Sequence, residues 1–323
     1  MKVLITRKIP RVVLDHLSKH TSLQIEMLEG EPLTEEQLIQ KVQDVDALLT
    51  IIPDQITKAV INAAPNLKVI STYSVGYDHI DLKAATEKGI PVTNTPGDLT
   101  ESVAEFTWAL ILAIAKKIVV SDKYVRSGCF KCWEPLLYMG PRINEKTLGL
   151  VGLGSIGCHV ARMAKGFNMN VLYYDIKQNQ KAELETGAKY VSLHDLLEKS
   201  DFVSIHVPLL PSTQHLIDLN ALKKMKPTAY LVNTSRGPVI DEDALAKALE
   251  EKWIEGAALD VFEEEPHIYD KLMSLDNVIL TPHIASATRE ARIQMARIAA
   301  ENIIEVLINN KTPTNLVNRD LNA

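Results

Sequence analysis

The chain has 323 residues, with 35 Lys and Arg against 41 Asp and Glu, and a formal net charge of −6. With 46% hydrophobic and 24% charged residues it has an ordinary globular composition and enough length for two domains. No basic stripe exists to neutralise phosphates, so nucleic acid is not an expected partner, and no apolar run is long enough to span a bilayer.

The opening MKVLITRKIP reads as a short strand rather than a signal peptide, since two basic residues follow almost at once and no cleavage region appears. Strand candidates follow at VLIT (3–6), LQIEML (23–28), DALLT (46–50), KVIS (68–71) and PVTNT (91–95). Helical stretches lie between them, such as LTEEQLIQKV and DLKAATEKG, the latter ending in a glycine stop. Residues 101–127 form one long apolar-rich helix pattern, a candidate bridge between domains. Next comes Cys129-Phe130-Lys131-Cys132, a CxxC with no second pair and no histidine cluster, read as two unpaired thiols in a loop. Three cysteines in all, with Cys158, cannot build a secreted-type disulfide framework, so a reducing cytoplasm is the expected setting.

A second strand series starts at TLGLVGLG (147–154) and continues with NVLYYD (170–175), DFVSIHVP (201–208), AYLVNTS (229–235), GAALDV (256–261) and NVILTPH (277–283). Two series of short apolar strands alternating with amphipathic helices specify an α/β chain of two domains. Residues 287–310 then give a last amphipathic helix before a polar tail. We expect a cleft between the domains with both long helices crossing it.

Gly152-Leu153-Gly154-Ser155-Ile156-Gly157 closes one strand and opens a helix, and the next strand ends at Asp175, 18 residues after Gly157. That context is what a dinucleotide fingerprint demands. Gly152 permits the tight turn, Gly154 lets backbone approach a pyrophosphate, and Gly157 lets helix and strand touch. The helix-start amides at Ser155 and Ile156 then hold the negative charge. Asp175 can accept from the adenine-ribose hydroxyls but repels a 2′-phosphate, which favours NAD over NADP. Lys177 is close enough in sequence to soften that preference.

A hydride acceptor needs a proton partner, and a substrate carboxylate needs a cation. Arg236 follows the strand AYLVNTS, and its rigid donor fork suits a carboxylate with an adjacent carbonyl. His283 follows NVILTP and can offer one ring nitrogen to substrate and the other to a carboxylate that favours its charged form. His206 competes for this role, but its strand runs directly into Pro208 and the adenine-side loop, so both are placed beside the cofactor. The remaining histidines, His16, His20, His79, His159, His194, His215 and His267, are expected mostly at the surface, with no metal-ligand spacing. In AALDVFEEEPH, three carboxylates precede a proline. Glu263 and Glu264 read as a solvated turn, and Glu265 as the acid that reaches His283.

Together YSVGYDHIDLKAA (73–85), VTNTPG (92–97), the fingerprint, HVPL (206–209), LVNTSRGPVIDEDAL (231–245), ALDVFEEEP (258–266) and TPHIASAT (281–288) carry a resemblance over essentially the whole chain. The chain resembles the D-isomer-specific 2-hydroxyacid dehydrogenases, most closely the glyoxylate/hydroxypyruvate reductases among them. The resemblance implies a homodimer in which each chain has two Rossmann-like domains with the active-site cleft between them. A flavodoxin-like substrate domain would take 1–100 plus 288–323, and a doubly wound NAD-binding domain 101–287. It implies Arg236, Glu265 and His283 as the catalytic set, with the Val75–Gly76 backbone opposite Arg236 on the substrate carboxylate. Asp260 would take the nicotinamide carboxamide, helped by the backbone around Thr234, and Asn94 and Thr95 would line the cleft. Trp133 resembles a tryptophan lent across the dimer interface to the neighbour's substrate pocket.

The expected reaction is NADH reduction of a small 2-oxoacid, glyoxylate or hydroxypyruvate, to the D-2-hydroxyacid. Rival readings are a dehydrogenase for bulkier 2-oxoacids or 3-phosphoglycerate, and an NAD-sensing corepressor-like module. Phosphite dehydrogenase is similar in the RSGxFxxWxP stretch but has its substrate lysine where this chain has Ser74. Formate dehydrogenase would have glutamine in the role given to Glu265. Phosphoglycerate dehydrogenases often carry a C-terminal regulatory domain, and the sequence here ends soon after its last helix, so a short form of that enzyme stays among the expected rivals. NADPH-preferring glyoxylate reductases put a basic group near the position of Asp175, a departure that leaves the choice of substrate less constrained.

Overall fold

Our computed structural model describes residues 1–97 and 99–322. The chain divides into two compact units, Met1–Leu99 with Ala287–Ala323, and Thr100–Ser286.

The first unit is built on a five-stranded sheet of β1 (Lys2–Ile5), β2 (Gln24–Met27), β3 (Ala47–Thr50), β4 (Val69–Thr72) and β5 (Val92–Thr93). All pairings are parallel and the order is β2-β1-β3-β4-β5, a flavodoxin-like order. The inner strands β3 and β4 are buried throughout, as a parallel sheet covered on both faces requires, whereas edge strand β2 stays half exposed. Leu4, Leu48, Ile70 and Val92 anchor its core. Large-to-small changes at such buried leucines and isoleucines cost about 2–5 kcal/mol. Helix starts are written in the sequence: Thr34 with Gln37 makes a capping box, and Thr57 and Asp81 cap the next two helices. The last helix, Arg289–Leu307, packs on β4 and on the helix Val12–Leu17. Within this unit Tyr73 donates its hydroxyl proton to the Arg292 carbonyl at 2.6 Å, and Ser71 to that of Ala299 at 3.3 Å.

The second unit holds seven parallel strands: β6 (Thr147–Val151), β7 (Asn170–Tyr174), β8 (Lys189–Tyr190), β9 (Phe202–Ile205), β10 (Tyr230–Asn233), β11 (Gly256–Leu259) and β12 (Val278–Leu280). Their order is β12-β11-β10-β9-β6-β7-β8. The chain runs outward from β6 to β8 and then returns to start the other half at β9. Loops after β6 and β9 therefore meet at the switch point, where open α/β sheets place their ligands.

Two features of this unit differ from expectation. β8 is a two-residue exposed edge strand with no apolar run to announce it. The single helix expected over 101–127 is two, Leu99–Ala115 and Ile118–Arg126. Lys117 breaks it by adopting the left-handed conformation, φ 55°. Lys116 donates to the Pro141 carbonyl at 2.7 Å, and Lys117 pairs with Glu255 at 3.1 Å. Two cations at a helix C-terminus, each with a partner elsewhere, make the break favourable despite the unbroken apolar pattern. Among the described residues, no helix is long and apolar enough to cross a membrane.

Candidate active site

The glycine loop sits where β6 ends. Gly152 has φ 101°, and a Cβ there would come within 2.8 Å of the His206 carbonyl oxygen, so the loops after β6 and β9 touch only because this residue has no side chain. A Cβ on Gly157 would run into the Gly152 carbonyl. Gly154, which caps the helix Ser155–Ala164, is different: no atom lies within 4 Å of where its Cβ would be. No described residue demands glycine there. Gly154 and Ser155 are exposed and Ile156 half-buried, at the helix end whose first amides have no intrahelical acceptor.

Asp175 ends β7 beside this loop. One carboxylate oxygen accepts from the Leu153 amide at 2.9 Å and the other from the Ile176 amide at 2.8 Å. Leu153, Gly154, Asp175 and the exposed Lys177 border an open recess of about 530 Å³. Clear backbone at a helix N-terminus, with a carboxylate fixed next to it, fits the pyrophosphate and adenosine ribose of a dinucleotide. His206 joins Ser204 through Nε2 at 2.9 Å, and burial pushes its imidazole down to about 3, so the ring is neutral. Pro208 is exposed, and its carbonyl accepts from Thr213 at 2.6 Å.

A second group assembles past β10, β11 and β12. His283 Nδ1 and Glu265 Oε2 are 2.8 Å apart, with both side chains about a third exposed or less. The other Glu265 oxygen accepts from the Phe262 amide at 3.1 Å, which orients the carboxylate; the Glu265–Pro266 peptide is cis. His283 itself has φ 54°, a left-handed conformation that costs a non-glycine residue about 1 kcal/mol or more. Asp260 holds it there. Fully buried, Asp260 accepts from the Thr281 hydroxyl at 2.6 Å, the Ile284 amide at 2.9 Å and the Ala285 amide at 2.7 Å, so it clamps the chain on both sides of His283. Burial pushes the Asp260 carboxyl up, and these three donors work against that rise. Both oxygens of the residue expected to meet the nicotinamide carboxamide are thus turned toward the histidine loop.

Arg236 lies three residues past β10. Asn233, wholly buried, builds the turn: its amide donates to the Arg236 carbonyl at 2.8 Å, and its oxygen accepts from the Ser235 amide and hydroxyl. One arginine nitrogen donates to the Ser235 carbonyl at 2.8 Å. Gly237 presses flat on the Phe262–Glu263 peptide, where any Cβ would overlap it. The turn carrying Arg236 and the loop carrying Glu265 are therefore interlocked. Thr234 is nearly buried and bonds Thr107 through its hydroxyl at 2.9 Å.

Of the three glutamates, Glu264 and Glu265 are exposed and Glu263 is half-buried. Glu263, expected in a solvated turn, pairs with His215, and its amide donates to Glu242 at 2.9 Å. Glu242 is only 5% exposed, and burial pushes its carboxyl up. Its signal in the sequence was faint: an acid in the first turn of a helix already capped by Asp241.

In the five-stranded unit, Val75 and Gly76 follow β4, with Val75 exposed. Asn94 donates to the Val75 carbonyl at 2.8 Å, and Thr95 is fully buried. His79, grouped above with surface histidines, is in fact 6% exposed and bonds Thr72 at 3.2 Å. It sits between two turns in sequence, so only its packing reveals its burial. Trp133 is 80% exposed on a single chain, and Cys129 and Cys132 are free and exposed nearby.

Residues 108–285 match the family described as D-isomer specific 2-hydroxyacid dehydrogenase, NAD binding domain. With the fold and site above, this chain belongs to the D-isomer-specific 2-hydroxyacid dehydrogenases, enzymes that use a nicotinamide cofactor. It is 51% identical to a glyoxylate reductase of Thermofilum pendens over 99% of this chain and 95% of that one. A solved structure from Thermus thermophilus superposes with a TM-score of 0.92 at 42% identity, covering 98% of this chain and all of that one. The NADPH-dependent glyoxylate/hydroxypyruvate reductase of Sinorhizobium meliloti superposes with a TM-score of 0.85 at 30% identity, covering 98% of each chain.

Proposed function

We propose that this enzyme reduces a small 2-oxoacid, glyoxylate or hydroxypyruvate, to the D-2-hydroxyacid with NADH. The observation that carries the reading is the 2.8 Å contact between His283 and Glu265 at the carboxyl ends of neighbouring strands. A carboxylate on Nδ1 takes that nitrogen as a donor and fixes the ring, which leaves Nε2 as the nitrogen that exchanges a proton with the substrate. His283 gives that proton to the C2 oxygen. Arg236 polarises the same carbonyl and clamps the carboxylate, and its charge is balanced in the site by Glu265. The Val75 and Gly76 amides are further donors for the carboxylate. Asp260 keeps the His283 loop in its left-handed turn, so the proton donor is placed before substrate arrives. The bound nicotinamide supplies the hydride to C2.

Selection of NADH over NADPH rests on Asp175, which is held beside Gly154 where a 2′-phosphate would meet a carboxylate. The Sinorhizobium meliloti relative is NADPH-dependent, so the comparison of NADH with NADPH is part of the test. We also infer a homodimer. Its support is that Ile118, Val125, Phe130, Trp133, Leu136 and Met139 are all exposed, an unusual concentration of large apolar side chains for one solvated stretch of chain.

Initial rates with NADH and with NADPH, against glyoxylate, hydroxypyruvate, pyruvate and 3-phosphohydroxypyruvate, test the whole reading. The expected result is the highest kcat/KM with glyoxylate or hydroxypyruvate and NADH, and a narrowed preference in Asp175→Ala. Turnover confined to the phosphorylated acid would overturn the substrate. Tight NADH binding with no turnover of any acid would point to a binding module instead.

A further inference from the structure

The loop that follows β4 holds more than the two amides assigned above. Three consecutive carbonyls in it are each tied down from the protein side. The Thr95 amide donates to the Ser74 carbonyl at 2.9 Å, the Asn94 side chain to that of Val75 at 2.8 Å, and the Ser74 hydroxyl to that of Gly76 at 2.6 Å. A trans peptide is planar, so its N–H points opposite to its C=O. Tying these three carbonyls turns the amides of Val75, Gly76 and Tyr77 away from their holders. None of the three donates to any protein group among the described residues.

The third tie is backed by an ordered relay. A carbonyl can only accept, so the single Ser74 hydroxyl proton is used on Gly76. Thr72 Oγ1, 2.7 Å from Ser74 Oγ, must then be the donor in that pair. Its own proton being used, Thr72 must accept from His79 Nε2 at 3.2 Å. Proton counting therefore fixes one direction, from His79 Nε2–H through Thr72 and Ser74 to the Gly76 carbonyl. Thr72 and Ser74 are 0% and 3% exposed, so water does not compete for these bonds. The second tie is backed too, since Asn302, 1% exposed, donates to the Asn94 carbonyl at 3.1 Å and accepts from Asn315 at 3.0 Å.

We propose that the Tyr77 amide is a further substrate-binding donor for the carboxylate of the 2-oxoacid, presented by Ser74 as a positioning residue at the end of the His79–Thr72–Ser74 relay. The proposal rests on the reading that the Val75 and Gly76 amides receive that carboxylate. It extends the pair to three consecutive donors and explains why a buried histidine and two buried hydroxyls stand behind an exposed loop.

The test uses full-length ¹⁵N-labelled enzyme with NADH, titrated with oxalate as an unreactive stand-in for glyoxylate, together with kinetics of Ser74→Ala and Thr72→Val. The expected result is that the amide resonances of Val75, Gly76 and Tyr77 all shift. In Ser74→Ala the Tyr77 response should shrink and KM for glyoxylate should rise roughly fivefold, the size of one lost neutral hydrogen bond. Its kcat and NADH affinity should stay within about twofold, a split that general loosening of the fold would not give. Thr72→Val, which keeps the side-chain volume, should move KM the same way by less. Shifts at Val75 and Gly76 with none at Tyr77, or an unchanged KM in Ser74→Ala, would overturn the proposal and leave the substrate site standing. No response to oxalate at any of the three amides would remove the underlying reading, and the proposal with it.

Discussion

Two strand-end loops of this enzyme leave backbone amides without an acceptor among the described residues, and they do so by opposite means. After β6 the chain uses glycine: Gly152 and Gly157 let loop and helix close together, and the start of a helix supplies the free N–H groups. After β4 no helix starts at once, and the loop carries Val75 and Tyr77 beside its one glycine. There the amides are turned outward because Thr95, Asn94 and Ser74 hold the carbonyls from behind. The first device is local in sequence. The second draws on residues up to Asn302 and Asn315, more than 200 positions away. A local device leaves a fingerprint, whereas one assembled from distant side chains leaves only ordinary polar residues.

The same contrast divides the proposed chemistry. Every side chain assigned to the reaction lies in the seven-stranded unit, and the five-stranded unit offers backbone. Substitutions in the first should therefore damage turnover, cofactor binding or, at Arg236, affinity for the acid as well as turnover, and those in the second should damage affinity for the acid alone. The largest effect is expected from His283→Ala, which should lower kcat by about 10²–10⁴-fold with NADH binding retained by fluorescence titration. A kcat within tenfold of wild type would end its assignment as proton donor.

Within the glycine loop the contrast can be made sharper. Gly157→Val drives a side chain into the Gly152 carbonyl and should abolish NADH binding along with a fall in Tm. Gly154→Ala meets no atom within 4 Å, so Tm should hold while NADH Kd rises on the order of tenfold, read by calorimetry. Equal Tm losses in both would mean that Gly154 serves packing rather than the cofactor.

In the other loop, Asn94→Ala frees the Val75 carbonyl and should raise KM for glyoxylate roughly fivefold, with kcat and NADH Kd nearly unchanged. A loss in kcat alone would break the proposed division between the units.

The smallest effect is one of stability. Burial raises the Glu242 carboxyl above its ordinary 4.5, so the folded enzyme holds that proton at pH values where the unfolded chain has lost it. Stability contributed by this group therefore falls as pH rises from 4.5 through the raised value. Glu242→Gln keeps an acceptor for the Glu263 amide without the buried charge. Its Tm should exceed that of wild type at pH 8, and the gain should fade as pH falls below 4.5. A gain that does not depend on pH would assign the effect to packing.

Among the described residues, eleven of the twelve strands announce themselves as short apolar runs, most clearly where a parallel strand is buried on both faces. The twelfth, β8, is two exposed residues and does not. The long apolar stretch from Leu99 onward reads as one helix because its pattern continues through the break, and the partners that stabilise Lys116 and Lys117 in their turn lie elsewhere. The glycine fingerprint and the family are likewise legible, since turn geometry and helix starts depend on neighbours in sequence. Arg236, Glu265 and His283 are assigned by their places after strands and by resemblance. Their supports are not legible at all.

By itself, then, the sequence determined an α/β chain with two parallel sheets, a dinucleotide loop and membership of a dehydrogenase family. Periodicity, capping residues and glycine spacing are short-range properties that a linear reading preserves. Only the tertiary structure decided that Asp260 holds the left-handed turn at His283, that Gly237 locks the Arg236 turn to the Glu265 loop, and that His79 is buried behind Ser74. Each of these depends on which strand ends come to lie side by side, and strand order is set by burial of the whole sheet rather than by any stretch of the chain.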